Sequence, residues 1–190
     1  EGRLATLDAT DTPIVAAKMA GVDPFNASDA DVEKIGDQLR AQRPLLRFYT
    51  ADQASLGQAL ASGELVAAMG WQAAFAAVKA TGAPVAYMKP KEGMLTWACG
   101  FVLMKDSKNI DAAYDFINAR LDPASQKHLI SMYGYGGSLK STFAQFTPAE
   151  LEAQSLPVDP EKTLSETTIL QPQKNADKII EVFEAVKAGG

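Results

Sequence analysis

The sequence predicts an α/β fold with a mostly parallel sheet, on three observations. Short apolar runs alternate with segments of helical period from Leu4 to Met104, and strands separated by helices mark a parallel sheet with helices on its faces. Glycine or proline punctuates the joins, as at Gly21, Pro24, Pro44, Gly63 and Pro90. Two tryptophans, Trp71 and Trp97, stand at the ends of apolar runs, where such a sheet delivers side chains to a cleft.

Taken in order, Leu4–Leu7 is a short apolar strand. Asp8-Ala9-Thr10-Asp11-Thr12-Pro13 forms a cap region, with Pro13 suited to the first helical position, and the helix runs to Ala20. Gly21 and Asp23-Pro24 make a break, after which Ser28 or Asp29 caps a second helix that reaches Gln42 and is ended by Pro44. The alternation resumes with a strand at Leu45–Tyr49, a helix at Ala51–Ser62 stopped by Gly63, and a strand at Leu65–Met69 leading into Gly70-Trp71. A helix at Gln72–Thr81, a strand at Val85–Met88, the loop Pro90-Lys91-Glu92-Gly93 and a strand at Thr96–Met104, entered through Trp97, complete this part. Beyond Lys105 helix dominates. Ile110–Leu121 places Ile110, Ala113, Tyr114 and Ile117 on one face, Asp122-Pro123 separates it from a helix at Ala124–Tyr133, and Gly134–Ser138 is a flexible junction. A polar region with a short helix at Pro148–Gln154 precedes the last helix, Asn175–Lys187.

Composition sets bounds on function. With 47% apolar and 22% charged residues, 190 residues bury a sizeable core as one domain or two small ones. A net charge of −5 without a Lys/Arg cluster argues against nucleic acid as a partner. The apolar runs are too short to span a bilayer and no charged-then-apolar leader opens the sequence, so export would be directed by a segment outside it. Cys99 is the only cysteine, which allows neither an intramolecular disulfide nor a cysteine metal cluster.

Enzymatic readings find little support. His128 is the sole histidine and lies in a helical stretch, and no nucleophile elbow, zinc-protease helix or phosphate-loop lysine pattern occurs. Gly134–Ser138 could form an anion nest, but no Lys-Ser/Thr pair follows in register. Tyr133 and Tyr135 invite an iron(III) reading, although their spacing departs from the adjacent tyrosines that related binders use. Met69, Met88, Met94 and Met104 read as core filling rather than a soft-metal site. No cofactor and no metal is expected.

The pattern Gly63-Glu64-x-Val66-x(4)-Trp71, followed by Pro90-Lys91-Glu92-Gly93-x(3)-Trp97, resembles the spermidine/putrescine-binding family of type II periplasmic solute-binding proteins of ABC transporters. The resemblance extends from Leu4 to the closing Val186-Lys187-Ala188-Gly189. It implies a type II periplasmic-binding-protein fold, with residues 1–96 and 143–190 as a nearly complete second lobe and 97–142 crossing to a first lobe that lies mostly outside this chain. The implied location is the periplasm. The implied partners are a small amine or amino-acid-like ligand, the first lobe and the membrane subunits of a transporter.

The same resemblance supplies the candidate site. Asp8 and Asp11 match paired acidic residues that meet ligand ammonium groups, a role suited to carboxylates because a desolvated ammonium needs anionic acceptors; helix capping is the other role open to them. Trp71 and Trp97 suit an alkyl chain with charged ends, since an indole face attracts a cation and packs on methylenes, whereas burial in a core is the plainer role. Tyr135 matches a ligand-lining position or is a loop tyrosine. Gln173 matches a glutamine reaching the ligand terminus, with Gln171 close enough to exchange with it. The departure is Cys99, where the polyamine binders carry an aspartate. A thiol supplies no charge at neutral pH unless its pKa is strongly lowered, which opens the site to ligands with one cationic end, such as an amino acid, a betaine-like amine, an opine or a GABA-like compound. Gln72 beside Trp71 offers an amide and no bidentate carboxylate clamp.

Overall fold

The computed structural model describes residues 1–190. Its centre is a three-stranded parallel sheet of β1 (Leu4–Leu7), β2 (Leu46–Thr50) and β3 (Ala67–Ala68), in the order β2-β1-β3. Ala5 lies opposite Phe48 on one side and Ala68 on the other, and Leu7 lies opposite Thr50. Ala5, Thr6 and Leu7 are all buried, as befits a central parallel strand covered on both faces.

Alternation along the strands assigns the two faces. On one face α1 (Asp11–Met19), α2 (Asp29–Gln42) and α10 (Ala176–Lys187) share a core of Ala17, Ile35, Leu39, Ile179, Phe183 and Val186, with Tyr49 packed against it. On the other, α3 (Gln53–Ala61) sets Leu56 and Ala59 against Ala5, Leu65 and Phe48. Phe48 and Tyr49 are neighbours in sequence and face opposite ways, the period of two that a strand imposes. At Gly36 the helices α2 and α10 come close, for a Cβ there would stand 2.9 Å from Val182 Cγ1.

A second, two-stranded parallel sheet joins β4 (Leu95–Thr96) to β5 (Thr168–Ile169). The Lys18 ammonium donates to Thr168 Oγ1 at 2.6 Å and ties this sheet to α1. The helix α4 (Gln72–Ala80) precedes β4, and between the two strands run α5 (Ile110–Leu121), α6 (Pro123–Tyr133) and the short α7 (Lys140–Phe143), α8 (Pro148–Ala153) and α9 (Pro160–Ser165). Ile130, Leu151 and Leu156 make a small core there, whereas α5 has no buried residue.

The strand expectations need correction. Val85–Met88 forms no strand: it is bracketed by Pro84 and Pro90, no ladder partner lies beside it, and Met88 is exposed. Of Thr96–Met104 only Thr96 is in a strand, with Leu95, and Phe101, Val102 and Met104 are exposed. Leu65–Met69 contracts to Ala67–Ala68, and Leu45 belongs to a 3-10 turn at Arg43–Leu45 rather than to β2. A strand exists through its hydrogen-bonded neighbour, and apolar residues without one leave their backbone to solvent. The helices at 140–143 and 160–165 and the strand at 168–169 are additions to the expected elements.

Candidate functional site

Parallel pairing brings the carboxyl ends of β1, β2 and β3 to one edge. The Asp8 amide donates to Thr50 O at 3.0 Å, fixing the exit of β1 beside the end of β2. The Trp71 amide donates to Gln53 Oε1 at 3.1 Å, fixing the exit of β3 against the start of α3. Trp71 thereby occupies the N-cap position of α4 with an extended backbone, a position that turns its side chain off the helix.

Trp97 leaves β4 toward the same place. The two indole rings lie 5.8 Å apart between centroids at an interplanar angle of 48°. Tyr135 adds an edge-on contact with Trp97 at 6.1 Å and 81°, and Tyr133 stacks on Tyr135 at 6.4 Å. Trp71 and Trp97 each keep 38% of their surface exposed, so neither is a core tryptophan. Rings at these separations attract one another, and their outer faces remain available to a cation or an alkyl chain.

The crossover carrying Tyr135 is held by amides. Gln72 Nε2 donates to Gly134 O at 2.7 Å, joining α4 to the residue before Tyr135. Gly134 caps α6 in the left-handed region at φ +65°, a conformation glycine takes without steric cost. Buried Gln126 donates through Nε2 to Arg120 O at 2.7 Å and accepts from the Ser138 amide at 2.9 Å, pinning the far end.

The remaining expected residues separate. Asp8 stands at the sheet edge, but its Oδ1 is paired with Lys187 Nζ at 2.6 Å. Asp11 is the first residue of α1, whose start carries no side-chain cap bond. Cys99 is exposed, two residues beyond Trp97. Gln173 uses its amide to donate to Pro24 O at 3.2 Å, an anchoring bond between the loop before α10 and the loop before α2. A concavity of about 510 Å³ between α7, α8 and α9, lined by Phe143, Phe146 and Val158, contains none of the expected site residues.

Sequence reasoning missed Gln53, Gln126 and Lys187. For Gln126 the adjacent glycine-rich junction was a usable signal, because such a loop needs a side-chain anchor. For Lys187 there was none, its partner lying at the opposite end of the chain. Burial pulls the Lys187 ammonium down, but the hydrogen bonds to Asp8 and Glu184 outweigh it and hold its pKa above the ordinary lysine value. Tyr87 is raised above the usual phenol range by burial.

An α/β unit whose parallel sheet presents aromatic side chains at one open edge has the build of a solute-binding lobe. Residues 3–155 match the family described as bacterial extracellular solute-binding protein, and the chain belongs to that family. The putrescine/agmatine-binding protein of Pseudomonas aeruginosa is 30% identical over 139 residues, which are 70% of this chain and 37% of that protein. The putrescine-binding periplasmic protein PotF of Escherichia coli is 33% identical over 129 residues, 64% of this chain and 34% of the relative. The spermidine/putrescine ABC transporter substrate-binding protein PotD from Streptococcus pneumoniae, solved with calcium and HEPES, superposes with a TM-score of 0.77 at 16% identity, covering 99% of this chain and 58% of its own. The chain thus has the periplasmic-binding-protein fold and spans only part of the length of these relatives. Their names describe binding rather than catalysis.

Proposed function

We propose that this chain supplies the second lobe, and a segment crossing to the first, of the extracytoplasmic solute-binding component of an ABC transporter, and that it captures a small cationic, polyamine-like amine. The observation carrying this reading is the run Trp71, Trp97 and Tyr135, with Trp97 in contact with each of the other two and all three partly exposed at the carboxyl edge of the sheet. The printed names of the relatives, which bind putrescine, agmatine or spermidine, support it.

The chemistry follows from the residues. Each indole face contributes about 0.5–2 kcal/mol to a cation and packs against its methylenes. Asp8 and Asp11 would add carboxylates, with Asp8 already engaged by Lys187. Cys99 adds no aspartate-like charge, which favours a ligand with one cationic end, so an amino acid, an opine or a GABA-like compound is the alternative ligand class. Ligand binding would shift the equilibrium toward closure of a first lobe over this edge, by the ligand's differential affinity for the closed form. Tyr135 would line the ligand from the crossover, whereas Gln173, bonded to Pro24, would act from the supporting loop. The periplasm is the proposed location, and transporter membrane subunits the proposed partners. The test is isothermal titration of the gene product containing residues 1–190 with putrescine, spermidine, butylamine and GABA. Binding of an amine that Trp71→Ala abolishes or weakens supports the reading, and heat-silent titrations with every amine would contradict it.

A second reading is favoured by a separate observation. Residues 97–121 expose Phe101, Val102, Met104, Tyr114 and Phe116, with Val102 at 85%, an apolar surface of the kind that marks an interface. On this reading residues 97–142 pack with a first lobe, as part of one chain or as a separate assembly partner. Co-expression with that lobe and recovery of a one-to-one complex would support it.

A further inference from the structure

We infer that Lys187 is a specificity-determining residue of the amine site: it occupies the Asp8 carboxylate and so biases the site toward monocationic amines over diamines. This rests on the reading of the sheet edge as an amine site.

The geometry begins at the sheet. Ala5 pairs with Ala68, and Asp8 and Trp71 each follow three residues on, so they leave the ends of adjacent parallel strands. Both residues therefore stand at the carboxyl edge, and Asp8 is the sheet-edge carboxylate on the strand next to that of Trp71. Its Oδ1 is filled by Lys187 Nζ at 2.6 Å, from the last turn of α10. The same ammonium reaches Glu184 Oε1 at 2.6 Å and lies 4.8 Å from the centre of the Phe183 ring. Only 17% of the Lys187 side chain is exposed, whereas the lysines of other surface ion pairs, such as Lys34 with Asp31 or Lys178 with Asp29, are more than half exposed.

A partly buried ammonium with two carboxylates and a ring face is hard to evict. A ligand ammonium approaching Asp8 must either break these contacts or sit beside a like charge. Cys99 offers no replacement carboxylate across the tryptophans. One ligand cation is therefore served by the exposed indole faces, and a second finds the Asp8 carboxylate already neutralised and only Asp11, at the start of α1, left to meet it.

The experiment uses the whole gene product that contains residues 1–190, titrated calorimetrically with butylamine and putrescine. Lys187→Met, which keeps the packing on Phe183, is expected to raise the putrescine-to-butylamine affinity ratio by about ten-fold. Asp8→Asn alone is expected to lower that ratio, because it leaves the Lys187 ammonium at the edge without its Asp8 partner, and Asp8→Asn added to Lys187→Met to cancel the gain. Lys187→Gln serves as a second variant should the methionine fail to fold. An unchanged ratio in the folded lysine variants, with both amines still bound and Trp71→Ala still weakening them, overturns the role of Lys187 and leaves the site standing. Absence of binding by either amine in every variant, or binding indifferent to Trp71→Ala and Trp97→Ala, overturns the site and this inference with it.

Discussion

At the scale of single residues, the aromatic contact carries the reading and the carboxylates modify it. Trp71→Ala and Trp97→Ala should each weaken amine binding by ten-fold or more, about 1–3 kcal/mol for an aromatic anchor, with the far-ultraviolet spectrum unchanged. Full affinity in both variants would remove the aromatic edge from the site. Cys99→Asp would restore a charge two residues beyond Trp97, and a rise in putrescine affinity, measured by the same titration, is the expected outcome. Trp71 and Trp97 stood out in the sequence by their shared place at the ends of apolar runs, and the structure brings their rings together. The engagement of Asp8 was not legible. It depends on a lysine whose nearness is created only when α10 docks against the sheet.

At the scale of elements, the first helical layer shows why some boundaries could be read. Ser28 opens α2 with a capping box in which its side chain accepts from the Asp31 amide and Asp31 accepts from the Ser28 amide. Ser28→Ala should cost about 1 kcal/mol in chemical denaturation. The Lys34 ammonium, then the Ser28 hydroxyl and amide, hold the Asp31 carboxyl well below the usual carboxylate range. A folded-state pKa that is lowered adds stability at pH values above the unfolded value of about 3.9, lost as the pH falls below it. Asp31→Asn should therefore lower the melting temperature at neutral pH, and the difference from wild type should shrink steadily as the pH is lowered beneath about 4. Gly36→Leu tests the contact of α2 with α10: overpacking against Val182 should cost about 1–3 kcal/mol in thermal unfolding. The apolar run of β1 announced a buried strand, and Ala5, Thr6 and Leu7 are buried. Val85–Met88 carried a similar composition without a neighbouring strand, and β5 is two residues long, too short for any period to register.

At the scale of the whole molecule, the buried core is concentrated at the sheet of β1 to β3 and its flanking helices, while residues 97–121 keep their large apolar side chains outward. Phe101 and Phe116 meet edge-on at 5.5 Å on that surface. Phe101→Ser with Phe116→Ser should reduce the capture of a first lobe in analytical ultracentrifugation; an unaltered complex would show that this surface makes no interface with it. The alternation that announced an α/β lobe ends where helices take over after Lys105, and the long-range return of β5 to β4 has no counterpart in local pattern. The most direct measurement is the melting temperature of the gene product containing residues 1–190 with and without putrescine and butylamine, beside its Trp71→Ala, Trp97→Ala double variant. A ligand at a hundred times its dissociation constant stabilises by about 2.7 kcal/mol, so an amine-dependent rise in the wild type that disappears in the double variant is the expected result. An equal response in both proteins, or none in either, would contradict an amine site built on the tryptophans.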